Sequence, residues 1–84
     1  MITTLNNCNV AITGGLKKMV RAKAYSLIRA DGGTVKDKIT KDTDILIIAD
    51  DEIECFHHSA KYEKAERWGI ETITEADFYE IVGA

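Results

Sequence analysis

Val10-Ala11-Ile12-Thr13-Gly14-Gly15-Leu16-Lys17-Lys18-Met19-Val20-Arg21 decides the reading of this 84-residue chain. Three apolar residues, a small hydroxyl residue and two glycines describe a strand that ends in a tight loop. The apolar run from Val10 to Thr13 is nearly continuous, as in a strand covered on both faces. Cations follow at once, at Lys17, Lys18 and Arg21. Glycine lets the backbone come close to a ligand, and N–H groups at a helix start favour an anion. A strand end of this composition can hold a phosphate. A second candidate contact, Lys61, lies far along the chain, where the fold can bring it back.

Beyond the loop, Val20, Ala24, Leu27 and Ile28 recur at helical spacing and predict an amphipathic helix. Arg21, Lys23 and Arg29 lie outside its apolar stripe, and Asp31-Gly32-Gly33 ends it. Thr34 to Lys36 predicts a short second strand at a sheet edge, where lysine discourages pairing with other chains. Asp44 to Ala49 is apolar and β-branched, hence a central strand. An acidic loop, Asp50 to Cys55, leads to a second helix from His58 or Ser59 to Trp68, with Ser59 a candidate N-cap and Gly69 just past the end. Ile70 to Ile73 predicts a fourth strand. Thr74-Glu75-Ala76-Asp77 has the form of a capping box with Asp in place of the usual Glu or Gln. Phe78, Ile81 and Val82 supply the stripe of a last short helix. The order β-α-β-β-α-β-α predicts an α/β fold with a mostly parallel sheet and helices on both faces. Ligands of such sheets gather at the carboxyl ends of strands, where Thr13-Gly14 sits. Residues 1–84 read as one domain, with a core from about residue 9 to residue 82 and no internal repeat.

The chain is 45% hydrophobic and 30% charged, without proline, which is a globular rather than a disordered composition. The longest apolar run, Ile45 to Ala49, is too short to cross a membrane. Met1-Ile2-Thr3-Thr4 lacks the basic start and apolar core of a signal peptide. The expectation is a soluble cytoplasmic protein, nucleoid-associated, or nuclear in a eukaryote. Cys8 and Cys55 stand at unrelated spacing and are expected as reduced thiols. The net charge of −3 hides a split. Residues 1–41 hold eight Lys or Arg against two Asp, whereas residues 42–84 hold three against twelve acids. That asymmetry suggests a basic face turned to an anionic partner.

Catalytic and metal chemistry find little support. Cys55, His57 and His58 match no standard structural zinc spacing, and a fourth ligand is missing. A Cys-His pair lacks a third, orienting group. Asp50, Asp51, Glu52 and Glu54 read as a solvated loop. Neither G-x-x-x-x-G-K-[ST] nor G-x-G-x-x-G occurs. No metal, no cofactor and no catalytic residue is expected.

Five pieces in order resemble a BRCT domain, over about Asn9 to Val82. They are Val10-Ala11-Ile12-Thr13-Gly14, Asp31-Gly32-Gly33-Thr34-Val35, Lys41-Asp42-Thr43-Asp44-Ile45-Leu46-Ile47, Lys61-Tyr62-Glu63-Lys64-Ala65 with Gly69-Ile70, and Thr74-Glu75-Ala76-Asp77-Phe78. Within that family the chain looks most like the single domains of bacterial NAD-dependent DNA ligases and of the replication factor C large subunit. The resemblance implies a three-layer fold, a four-stranded parallel sheet flanked by three helices. It also implies a phosphate pocket formed by Thr13, Gly14, Arg21 and Lys61. Two positions depart from the pattern: Val20 stands where Ser is frequent, leaving the first helix without that N-cap, and Phe78 stands where Trp is frequent.

The implied function is a non-catalytic module that binds a 5′-phosphorylated DNA end in replication or repair, as part of a DNA ligase or as its partner. Thr13 offers a hydroxyl, Gly14 a bare backbone N–H, Lys61 a point charge and Arg21 a planar fork. A terminal phosphate carries more charge than a diester, so such a pocket prefers ends. Lys17, Lys18 and Lys23 are candidates for contacts to neighbouring backbone phosphates, which are sequence-independent. The alternative is a protein-interaction module that docks on another repair protein, self-associates or binds a phosphopeptide. Paired BRCT domains that read phosphoserine peptides use a second repeat, and its absence from this sequence argues against tight phosphopeptide specificity.

Overall fold

The computed structural model describes residues 4–36, 38–49 and 60–83. Its elements are β1 (Asn9–Thr13), α1 (Arg21–Ala30), β2 (Thr34–Val35), β3 (Ile45–Ile48), α2 (Ala60–Trp68), β4 (Glu71–Thr74) and α3 (Glu75–Val82). The strands lie in the order β2-β1-β3-β4. Every pairing is parallel, with Val10 opposite both Val35 and Ile45, and Ile47 opposite Ile73. The expected α/β fold with a four-stranded parallel sheet and three helices is the observed one.

Strand periodicity divides the core into two layers, because successive side chains leave opposite faces. Val10, Ile12, Ile45, Ile47 and Ile73 pack with Ala24 and Ile28 of α1 and with Phe78 and Tyr79 of α3. Ala11 and Leu46 face the other way, onto Ala65 of α2 and onto Ile39. Strands β1 and β3 take the central places because both of their faces are apolar. The short β2 falls at an edge, as expected, and ends at Val35, one residue before the Lys36 that the sequence included.

Helix ends account for the small shifts in boundary. Strand β4 begins at Glu71 and not at Ile70, because the Ile70 N–H is spent on the Ala65 carbonyl, 2.9 Å away, closing α2. At the end of α1, Gly32 donates to the Arg29 carbonyl at 3.0 Å and Gly33 to that of Ile28 at 2.9 Å. Gly33 admits no side chain: a Cβ there would lie 2.9 Å from the Leu5 carbonyl oxygen. Just before it, the Asp31 carboxylate accepts the Leu5 N–H at 2.7 Å and the Thr4 hydroxyl at 3.3 Å. That hook seats Leu5, fully buried, beneath α1.

At the start of α3 the capping box is complete. The Thr74 N–H reaches the Asp77 carboxylate at 3.3 Å, and the Asp77 N–H returns to the Thr74 hydroxyl at 3.2 Å. No gap separates β4 from α3, so residue 75 leaves the sheet at its carboxyl end. The acidic loop, Cys55, His57, His58 and the expected Ser59 cap lie outside the described residues. Among the described residues no helix is long and apolar enough to cross a membrane.

Candidate functional site

Thr13 is the last residue of β1 and only 3% exposed. Gly14 follows with φ at +86°, a left-handed conformation that glycine adopts without steric cost, and it turns the chain off the sheet. Arg21 opens α1 and is exposed. Its guanidinium folds back over the strand end. Nη2 donates to the Gly14 carbonyl at 2.8 Å, and Nη1 donates to the Ile12 carbonyl and the Tyr25 hydroxyl, each at 3.4 Å. Three of the four expected phosphate contacts therefore meet at one place. Among the described residues, the Arg21 Nε–H and one Nη2–H have no protein acceptor. Thr13 lies beneath the loop, so Gly14 and Arg21 form the outer surface of the site.

The start of α1 adds to the donor character. Val20 is its N-cap, extended at φ −74° and ψ 157°, and it makes no side-chain cap bond. The first turn carries no acidic residue. Val20 itself is 73% exposed, an unusual place for a large apolar side chain. A helix start with neither a capping oxygen nor a carboxylate keeps its positive end open to an external anion.

Lys61 is the second residue of α2. This helix ends beside the amino end of the sheet, where Glu71 pairs with Ile45. At 1.5 Å per residue its nine residues run back for roughly 13 Å. The Lys61 backbone is thus carried to the carboxyl end of the sheet, the same end as Thr13 and Gly14; its side chain lies outside the described residues. Lys17 and Lys18 are exposed in the β1–α1 loop, and Lys23 is exposed on the first turn of α1. The Lys18 ammonium sits 5.2 Å from the centre of the Tyr79 ring, within cation–π range, so it is turned toward α3.

Sequence reasoning missed Glu75. Only 1% exposed, it is the first residue of α3. Its Oε2 accepts the Lys17 N–H at 2.9 Å, the Lys18 N–H at 3.4 Å and the Tyr79 hydroxyl. The carboxylate also profits from the positive end of α3. One signal was available: Asp77 already fills the capping-box role, which leaves the neighbouring acid without an assignment. Its burial, however, comes from the β1–α1 loop folding over it, nearly sixty residues away in sequence.

Among the described residues no three His, Cys, Asp or Glu side chains gather as a metal site. Burial and the nearby Asp44 carboxylate push the Cys8 thiol up, which is the wrong direction for a nucleophile.

Residues 3–82 match the sequence model of the BRCA1 C Terminus (BRCT) domain. The DNA ligase of Pseudothermotoga lettingae is 33% identical over 78 residues, 93% of this chain and 11% of the ligase. That of Chlamydia caviae is 37% identical over 71 residues, 84% of this chain and 10% of the ligase. The chain thus spans about a tenth of the length of these relatives. Among solved structures, Rad4 BRCT1,2 in complex with an Mdb1 phosphopeptide superposes with a TM-score of 0.76 at 23% identity, covering 98% of this chain and 41% of that one. The S. pombe Rad4 BRCT3,4 structure gives 0.70 at 18% identity, covering 94% and 42%. At these identities the structural likeness is one of fold.

Proposed function

Because the chain belongs to the BRCT family, whose domains are non-catalytic modules, we propose that it binds a phosphate group at the carboxyl end of its sheet. The natural group in this reading is a 5′-phosphorylated DNA end met in replication or repair, by a domain that is part of a DNA ligase or works beside one. The observation that carries the reading is the Arg21 guanidinium, tethered 2.8 Å from the Gly14 carbonyl at a helix start that has no cap of its own. A phosphate monoester brings about −1.5 to −2 charges and three acceptor oxygens. The groups this reading assigns to it are N–H donors of the Arg21 side chain, the backbone N–H groups of Gly14, Arg21 and Ala22, and Thr13 beneath them. Lys61, near the start of α2, is the distant cation of this reading. Lys17 and Lys23 contact flanking diesters, with Lys18 the weaker contributor because Tyr79 engages it. The ligase relatives favour DNA as the carrier of the phosphate, and the same reading has the domain working in the cytoplasm, at the nucleoid. The likeness to replication factor C rests on the motifs alone.

A second reading, phosphopeptide binding by the same groups, is favoured by one finding. The Rad4 BRCT1,2 structures of the same fold are complexes with phosphopeptides.

Fluorescence anisotropy against three probes separates these readings: a duplex with a 5′ phosphate, the same duplex with a 5′ hydroxyl, and a phosphoserine peptide. The phosphorylated duplex is expected to bind about tenfold tighter than its hydroxyl twin, the worth of one good charge-assisted pair. Lys61→Ala should erase most of that difference. Equal binding of the two duplexes overturns end recognition, and preference for the peptide establishes the second reading.

A further inference from the structure

We propose that Glu75 is a positioning residue for the anion site: from the first position of α3, its buried carboxylate holds the backbone N–H groups of Lys17 and Lys18 and so sets the path of the loop that carries Gly14. This inference rests on the phosphate-binding reading and adds a residue that touches no ligand. The loop from Gly14 to Val20 contains no regular structure of its own. Its upstream end is fixed by β1 and its downstream end by α1, with Arg21 gripping the Gly14 carbonyl from the far side. Between those ends, Glu75 is a tether that belongs to a different element, 58 residues from Lys17. Leu16 and Met19, half-buried against the main core, hold the loop down, but as apolar contacts they do not fix amide directions.

The direction of these amides matters for an anion site. A loop N–H that bonds Glu75 is committed inward, and two adjacent bonded N–H groups pin the backbone at Lys17 and Lys18, which restricts the paths open to Gly15 and Leu16 that lead back to Gly14. Glu75 is itself held in place: the Tyr79 hydroxyl, one helical turn on, donates to the same oxygen. Burial at 1% exposure keeps water from substituting for either partner. A group this deeply buried and this well bonded is rigid, which is the requirement for holding donors in register with a ligand. It also explains why a carboxylate is tolerated so near an anion site: its charge is spent on inward N–H groups and on the α3 dipole.

The test uses the full chain with 5′-phosphorylated and 5′-hydroxyl duplexes, together with amide hydrogen exchange followed by NMR. Glu75→Gln retains an acceptor oxygen at the same reach and is expected to bind the phosphorylated duplex within about threefold of the parent. Glu75→Asp, one methylene shorter, cannot reach both amides and is expected to weaken binding about tenfold, the loss of one charge-assisted contact to the ligand. Faster exchange at Lys17 and Lys18 should accompany that loss. Asp31→Ala removes the hook that seats Leu5 at the far end of α1 and leaves the loop tether, so it should lower the melting temperature with little change in affinity. This variant separates positioning from general stability. If Glu75→Asp is folded and binds as the parent does, the proposal is overturned. If Glu75→Asp fails to fold, the Glu75→Gln and Asp31→Ala pair decides: loss of affinity in proportion to stability in both means a purely structural role. A parent chain that ignores the 5′ phosphate overturns the phosphate reading instead, and the exchange rates at Lys17 and Lys18 then show whether the tether alone exists.

Discussion

At the scale of the residue, Arg21 shows how one side chain can serve the fold and the proposed site together. Its fork bridges the Ile12 and Gly14 carbonyls, which a lysine ammonium cannot do with the same planar geometry. Arg21→Lys keeps the charge, and is expected to weaken binding of a 5′-phosphorylated duplex about tenfold while costing the exposed site only about 0.5–1 kcal/mol of stability. Anisotropy and a urea titration measure the two effects separately. Cys8 supplies a prediction in pH. Burial first, and the Asp44 carboxylate second, hold its thiol above the usual thiol range. A protonated thiol favoured by the fold contributes stability that is complete below the ordinary thiol pKa and is lost as pH rises through the raised folded value. Alkylation of Cys8, followed by peptide mapping to separate it from Cys55, should therefore begin at higher pH in the folded chain than in urea. Asp44→Asn should move that onset down.

At the scale of the element, α3 is the clearest case of a local code that carries a distant task. Its capping box is written in Thr74 and Asp77 and can be read without any tertiary information. Thr74→Ala should cost about 1 kcal/mol. In a domain of this size that loss corresponds to a fall of about 4–8 °C in Tm, readable in a thermal melt. The same short helix presents Phe78 and Tyr79 to the core and Glu75 to the loop. Weakening the cap should thus loosen the loop as well, and exchange at Lys17 should rise together with exchange in α3. Helix α1 shows the opposite economy. Its N-cap, Val20, makes no side-chain cap bond, and in the proposed reading an anion supplies what the sequence omits.

At the scale of the whole molecule, charge distribution governs how a chain of net charge −3 would meet the proposed anionic partner. The cations of the β1–α1 loop and of the first turn of α1 gather at the carboxyl end of the sheet. Binding to DNA should weaken linearly in log salt, with a slope near 0.9 per phosphate contacted. Lys23→Ala should reduce that slope by about one contact, and Lys18→Ala by less, since its ammonium rests on Tyr79; binding isotherms at four salt concentrations measure both. Much of this architecture was legible beforehand. The apolar runs of Val10 to Thr13 and Ile45 to Ile48, the glycines after α1 and the capping box are short-range signals, and they determined the strands, the helices and the parallel sheet. They also marked Thr13, Gly14 and Arg21 as neighbours, because those residues are close in sequence and share one strand end. Only tertiary structure decided that Arg21 turns back onto carbonyls, that Asp31 seats Leu5, and that Glu75 is buried beneath the loop. Arg21 stays exposed, whereas Asp31 and Glu75 are carboxylates whose residue type reads as exposed, and such groups leave water only when a partner from a remote part of the chain satisfies their hydrogen bonds.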